Sequence, residues 1–293
     1  MRSIEQPGPV HPERIQCALT RLQAVDVQLR QGVSLLDGLA DAVREHGVSS
    51  AVFSLQGGSF APLAYYMPAL AETSAHVAYF SERFQSTGEA QMNSGSITFG
   101  LRDGQPSLHC HAIWTDASGQ QKSGHLIPPD SLVATPMRLQ AWMLEGVGFE
   151  VAADAETNFR LMQVAAADTP PEDANGLVVR LRPNQDICTA VEQVCAEHNI
   201  THANIRGGVG SLIGATFDDG RTVEAFVTEV FVRSGEIAPD PDGVSRARID
   251  VGLVSHTGEI AEGRLERGEN AVLITFELVI EPHDSTWRNG SHT

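Results

Sequence analysis

Three histidines carry the most specific chemistry this sequence offers. Leu108-His109-Cys110-His111-Ala112 reads as part of a strand, and Gly124-His125-Leu126 follows shortly after it. A strand alternates its faces with a period of two, so His109 and His111 share one side of the sheet and Cys110 takes the other. A hairpin turning at Asp116-Ala117-Ser118 sets position 125 across from position 109, with its side chain on that same face. Three neutral imidazoles converging around an open fourth position make a metal site of the catalytic or small-molecule-binding kind. Zinc is the first expectation, and other divalent transition metals accept the same donors. Asp116, Asp130 and Glu145 are the candidate fourth or outer ligands.

The elements that must position these residues come from an internal duplication. Residues 25–60 lie over residues 177–212 without a gap. Each copy opens with an alternating strand and continues into a helix capped by Ser34 or Asp186, with apolar positions recurring at three and four. Gly47 and Asn199 mark the helix ends. The glycine runs that follow, Gln56-Gly57-Gly58-Ser59 and Gly207-Gly208-Val209-Gly210-Ser211, lack a Walker lysine and read as a turn or bulge. Further strands complete each half. The fold class is α+β, two copies of a small domain, each an antiparallel sheet packed with one principal helix. The division is a first domain at 1–165, a linker at 166–176, a second domain at 177–284 and a tail at 285–293. An insertion at Met67–Asn93 lengthens the first copy, with Tyr65 and Tyr66 beside it. Aligning the copies puts His109 over Asp250, His111 over Gly252 and His125 over Arg264, which makes the second copy a scaffold without the imidazoles.

Charge narrows the partners. Lys and Arg total 20 against 37 Asp and Glu, a formal net charge of −17. Phosphate-backbone binding draws on a surplus of basic residues, so nucleic acid and anionic membranes are disfavoured. Lys122 is the only lysine, which leaves arginine to recognise anions. The four cysteines (Cys17, Cys110, Cys188 and Cys195) form no CxxC pair and read as reduced, mostly buried thiols. No apolar run of spanning length and no secretory leader is evident, so a cytoplasmic location is expected.

The segments RLRPNQDICTAVEQVCAEHNITHANIRGGVGSL and PSLHCHAIWTDASGQQKSGHL resemble the plants-and-prokaryotes conserved (PPC) domain: a strand, a helix, a Gly-Ser turn after the next strand, then His-x-His and Gly-His-Leu. The resemblance spans about residues 25–162 and 177–282, a tandem of the domain. It implies a compact α+β domain assembling as a homotrimer, with a divalent metal on the family histidines, which here are His109, His111 and His125. Plant members carry an Arg-Gly-Arg-Pro segment for the DNA minor groove. This chain has none.

Two functional readings follow. In the first, a metal-dependent hydrolase or lyase, or a binder, takes a small carboxylate or carbonyl compound. Arg102, Arg138 or Arg206 would hold a carboxylate in a bidentate fork, Glu145 or Glu72 would act as general base, and Tyr65 would reach the site from beside the insertion. In the second, a trimeric regulatory or interaction module uses the metal structurally. A DNA-binding regulator is a third reading, which the charge and the missing Arg-Gly-Arg-Pro segment weigh against.

Overall fold

The computed structural model describes residues 1–167, 169–283 and Trp287. Apart from Trp287, the expected tail at 285–293 lies outside the described residues.

Both helices form where the caps place them. α1 (Leu35–Glu45) starts with the Ser34 side chain accepting from the Asp37 amide, and α2 (Ile187–Glu197) with Asp186 accepting from the Thr189 amide. Gly47 (φ 70°) and Asn199 (φ 56°) follow the two ends in the left-handed conformation. Each helix covers one face of its own sheet. Leu35, Leu39 and Val43 pack with Phe53, Ile97, Cys110 and Trp114 in the first copy, and Ile187, Val191 and Val194 pack with Val230, Ile249 and Phe276 in the second.

The two sheets share a topology. In the first, strand Ser50–Leu55 pairs with Met137–Glu145 on one side and Ala90–Arg102 on the other, and the sheet runs on through Gln105–Thr115 to Gln121–Leu126, all antiparallel. In the second, Val272–Pro282, Ala203–Thr216, Thr222–Pro239, Ser245–Ser255 and Ile260–Arg264 follow in the same order. The faces turned away from the helices pack on one another. Val52, Trp142, Leu144 and Phe149 of the first copy meet Val178 and Val279 of the second in a separate apolar cluster. Gly207 (φ 63°) sits in a bulge at this boundary, where a Cβ would come within 2.7 Å of Val52, so only glycine fits.

The two copies are joined by more than the chain between them. The first strand, Ile15–Leu29, serves both sheets: residues 15–20 pair with the strand Gly176–Leu181 and residues 21–29 with Met137–Glu145. The segment before it lies along the second copy, with the Gln6 amide donating to the Leu273 carbonyl and Arg14 to Pro183. An extended chain with free backbone groups is satisfied by whichever sheet edge it meets, and the helical and alternating patterns do not report which edge that is. Among the described residues no helix is long and apolar enough to cross a membrane.

Candidate metal centre

Alternation along Gln105–Thr115 turns Cys110 into the core beneath α1 and leaves His109 and His111 on the face that meets the second copy. The hairpin that returns His125 is longer than the sequence reading assumed. Thr115 pairs with Gln121 across a five-residue loop, so His125 stands opposite His111 rather than His109. A shift of two residues preserves the face, and the three rings still gather, with centroids 4.7 Å apart for His109–His111, 5.1 Å for His111–His125 and 5.4 Å for His109–His125.

The fourth donor comes from the second copy. Glu229 Oε2 lies 2.5 Å from His111 Nε2, and donor atoms of His109, His111, His125 and Glu229 all lie within 4.8 Å of one another. Three imidazoles and one carboxylate suit a divalent ion, and their span is one that ligands about 2.0–2.2 Å from a common centre can close onto.

The supporting groups also come from across the boundary. His111 Nδ1 is 2.9 Å from the Val230 carbonyl, and His109 Nδ1 is 2.6 Å from Glu277 Oε2. A carbonyl or carboxylate oxygen can only accept, so each Nδ1 carries the proton and each Nε2 is left facing the cluster. Glu277 is fully buried and is itself held: Arg180 Nε donates to Thr275 Oγ1, and Thr275 donates to Glu277 Oε1, each at 3.0 Å. Arg180 and Arg182 both donate to Asp154 Oδ2 of the first copy. A continuous buried chain therefore runs from Asp154 through the second domain and back to His109.

Electrostatics differ from ring to ring. Burial opposes charge on His109, but the Glu277 carboxylate, by charge and hydrogen bond, together with Glu229 outweighs it and raises its pKa above the ordinary histidine value. Burial, with His111 and His109 nearby, holds His125 well below that value and keeps it a neutral donor. Replacing Glu277 with glutamine is expected to weaken divalent metal affinity roughly 10- to 100-fold with the fold retained, as found for partners of ligating histidines generally. Competitive chelator titration measures this, and unchanged affinity would remove Glu277 from the site.

The other residues singled out in the sequence fall in several places. Arg102 lines a cavity of about 230 Å³ beside the cluster, together with His109, His125, Glu229 and Phe80, and makes no ion pair among the described residues. Arg138 and Arg206 line a different, larger cavity between the copies. Glu145 is exposed and bonded to Arg21 at 2.8 Å, away from the cluster. Glu72 is exposed in the loop between strands Pro68–Leu70 and Ala78–Phe80 of the insertion. Tyr65 packs on the core side, with its ring 4.7 Å from Trp114 and 5.6 Å from Phe84, because alternation gives the outer position to its neighbour. It is Tyr66 that pairs with His125, and Tyr66 packs against Phe80, whose ring lies 4.9 Å from that of His125. Asp116 caps its own hairpin loop and Asp130 pairs with Arg83, so neither is the fourth donor. Glu229 and Glu277 escaped the sequence reading. The one signal at Glu277 is an acid set between two apolar neighbours, Phe276 and Leu278, in mid-strand, where an unpaired carboxylate would be costly.

Two α+β copies meeting at a cluster of three histidines and a glutamate define a duplicated protein with a metal-competent domain boundary. The Plants and Prokaryotes Conserved (PCC) domain matches residues 19–142 and 169–284, and the chain belongs to that family. Among solved structures it is similar to a metal-containing protein from Archaeoglobus fulgidus, at 17% identity and a TM-score of 0.41, over 52% of this chain and 99% of that one. A Salmonella enterica protein gives 18% identity and 0.41 over the same shares. A plant- and prokaryote-conserved protein from Pyrococcus horikoshii gives 17% and 0.37, over 50% of this chain and 94% of that one. No curated protein matches the chain.

Proposed function

We propose that the protein holds one divalent metal ion, zinc first among the expected ions, on His109, His111, His125 and Glu229, and that the adjoining cavity takes a small carboxylate or carbonyl compound. The observation that carries this reading is the convergence of those four donors beside a cavity that three of them, His109, His125 and Glu229, line. The ion would supply a Lewis acid at the cavity wall, the chemistry that metal-dependent hydrolases and lyases use. The chain's own residues do the rest. Arg102, unpaired at the rim, offers its fork to a carboxylate. Glu277 and the Val230 carbonyl fix the rings, and Phe80 excludes water from one side of His125.

A second reading has a specific observation behind it. Three donors belong to the first copy and the fourth to the second, so an ion there also clasps the two domains, as the regulatory-module reading requires. Homotrimer assembly stays within the proposal on the strength of the family alone.

Metal analysis and X-ray absorption on protein purified without added metal test the proposal. About one equivalent per chain, with nitrogen-rich coordination and a water in the shell, supports a substrate site. Coordination filled by protein ligands supports the clasp. Metal well below stoichiometry after reconstitution, or content unaffected by His125→Ala, overturns the centre itself.

A further inference from the structure

The duplication puts a counterpart of the histidine cluster on the other side of the domain boundary, and its chemistry is inverted. The hairpins of the two copies close through matching loops: the Asp116 amide donates to the Gln120 carbonyl and the Ser255 amide to the Glu259 carbonyl, each at 2.9 Å. Superposing these loops sets the His111–His125 pair on the Asp250–Arg264 pair. One alternation further along, His109 falls on Arg248. This register corrects the sequence alignment, which had put His109 over Asp250 and His111 over Gly252. Glu277 has its own counterpart, because Val25 pairs with Ala141 where Leu177 pairs with Ile280, and counting back from those pairs places Arg138 on Glu277.

Where the first site opposes the His109 imidazole to the Glu277 carboxylate, the second brings two guanidiniums, Arg248 and Arg138, to the same cavity, of about 770 Å³. Arg206, Arg233 and Arg264 line it as well, against the carboxylates of Asp26, Glu236 and Asp250. Five arginines against three lining carboxylates give this cavity a local basic surplus in a chain of net charge −17. Their existing partners leave capacity. Arg138 pairs with Asp26, Arg206 with Glu281, Arg233 with Glu262 and Arg248 with Glu236, each through one nitrogen. Arg264 stands 3.6 Å from Asp250 and 3.8 Å from Asp218, too far for a hydrogen bond. Partly exposed pairs of this kind are weak and exchange readily for a better-matched anion. Arg206 is further fixed over the Trp142 ring, 4.8 Å from its centroid. On the cavity wall, the Ser96 hydroxyl is buried at 1% exposure and has no hydrogen-bond partner, although a buried hydroxyl ordinarily finds one.

We infer that this cavity binds a small polyanion, a molecule bearing two or more carboxylate or phosphate groups, through the guanidinium forks of Arg138, Arg248 and Arg264 with the Ser96 hydroxyl as an added donor. Planar forks fit either group bidentately. The inference stands on the duplication and the cavity and is independent of the metal reading.

Isothermal titration of the full-length protein with citrate and with pyrophosphate tests it and separates carboxylate from phosphate preference. At least one probe is expected to bind, with affinity falling as salt is raised and dropping roughly tenfold or more in the Arg248→Ala/Arg264→Ala variant as two charge-assisted contacts are lost. The His109→Ala/His111→Ala variant is expected to keep that binding, which separates the cavity from chelation at the metal. Both arginines are solvent-facing, and a thermal melt with and without the probe confirms a folded variant. Binding unchanged by the arginine substitutions, binding lost with the histidines, or no binding of either probe would each overturn the inference.

Discussion

The His109→Ala/His111→Ala double variant is expected to lose bound divalent metal, falling from about one equivalent per chain to none after purification or reconstitution and dialysis. Two of four converging donors disappear, and the remaining pair, His125 and Glu229, comes from different domains with no third group among the described residues to close the site. The substitution has a structural cost as well. Glu277 is fully buried and would lose the imidazole that accompanies it, keeping only the Thr275 hydroxyl and the charge of Arg180 behind it. The double variant should therefore melt lower than wild type, while His125→Ala, which leaves the Glu277 contact intact, should lose metal with a smaller shift. Plasma emission spectrometry and calorimetry on the three proteins decide this, and full metal content in the double variant would dissolve the proposed centre.

Asp154→Asn is expected to destabilise the folded chain by about 3–5 kcal/mol, the usual effect of leaving a buried partner charge uncompensated. Asp154 Oδ2 accepts from both Arg180 and Arg182, all three buried, and Asp154 is the carboxylate that joins them to the first copy. Burial by itself would raise its pKa. The Arg180 hydrogen bond and charge, the Thr157 amide and Arg182 together reverse this and hold it well below the ordinary carboxylate value of 3.8. The sign follows from linkage: a depressed folded-state pKa gives stability that is complete above the unfolded value and is lost as pH falls through the folded one. Wild-type stability should decline below about pH 4, and the variant should lack that component of the decline. Denaturant midpoints between neutral pH and pH 2 measure both effects, and parallel acid profiles would show that Asp154 does not hold the two arginines.

Much of this was legible in the chain. Ser34 and Asp186 each cap a helix whose apolar spacing matches the face it buries, and the glycines after the next strands make the expected turn and bulge. The rule that sends His109 and His111 one way and Cys110 the other needs only an extended backbone. His125 reached the right face through an incorrect pairing, because parity survives a two-residue slip and the loop length does not announce itself. The remainder was hidden for a physical reason. Glu229 and Glu277 reach the histidines only because two sheets pack back to back, and no local periodicity encodes which strand of a distant copy lies opposite. The same blindness assigned Arg138 and Arg206 to the histidine site, when they line its counterpart.

The first strand, running from one sheet into the other, binds the duplicated halves as a seam. Here one continuous strand completes both sheets, the second with residues 15–20 and the first with residues 21–29. That join, as much as the divided cluster, makes the pair a single heritable unit and leaves each copy free to diverge in chemistry without drifting apart in structure.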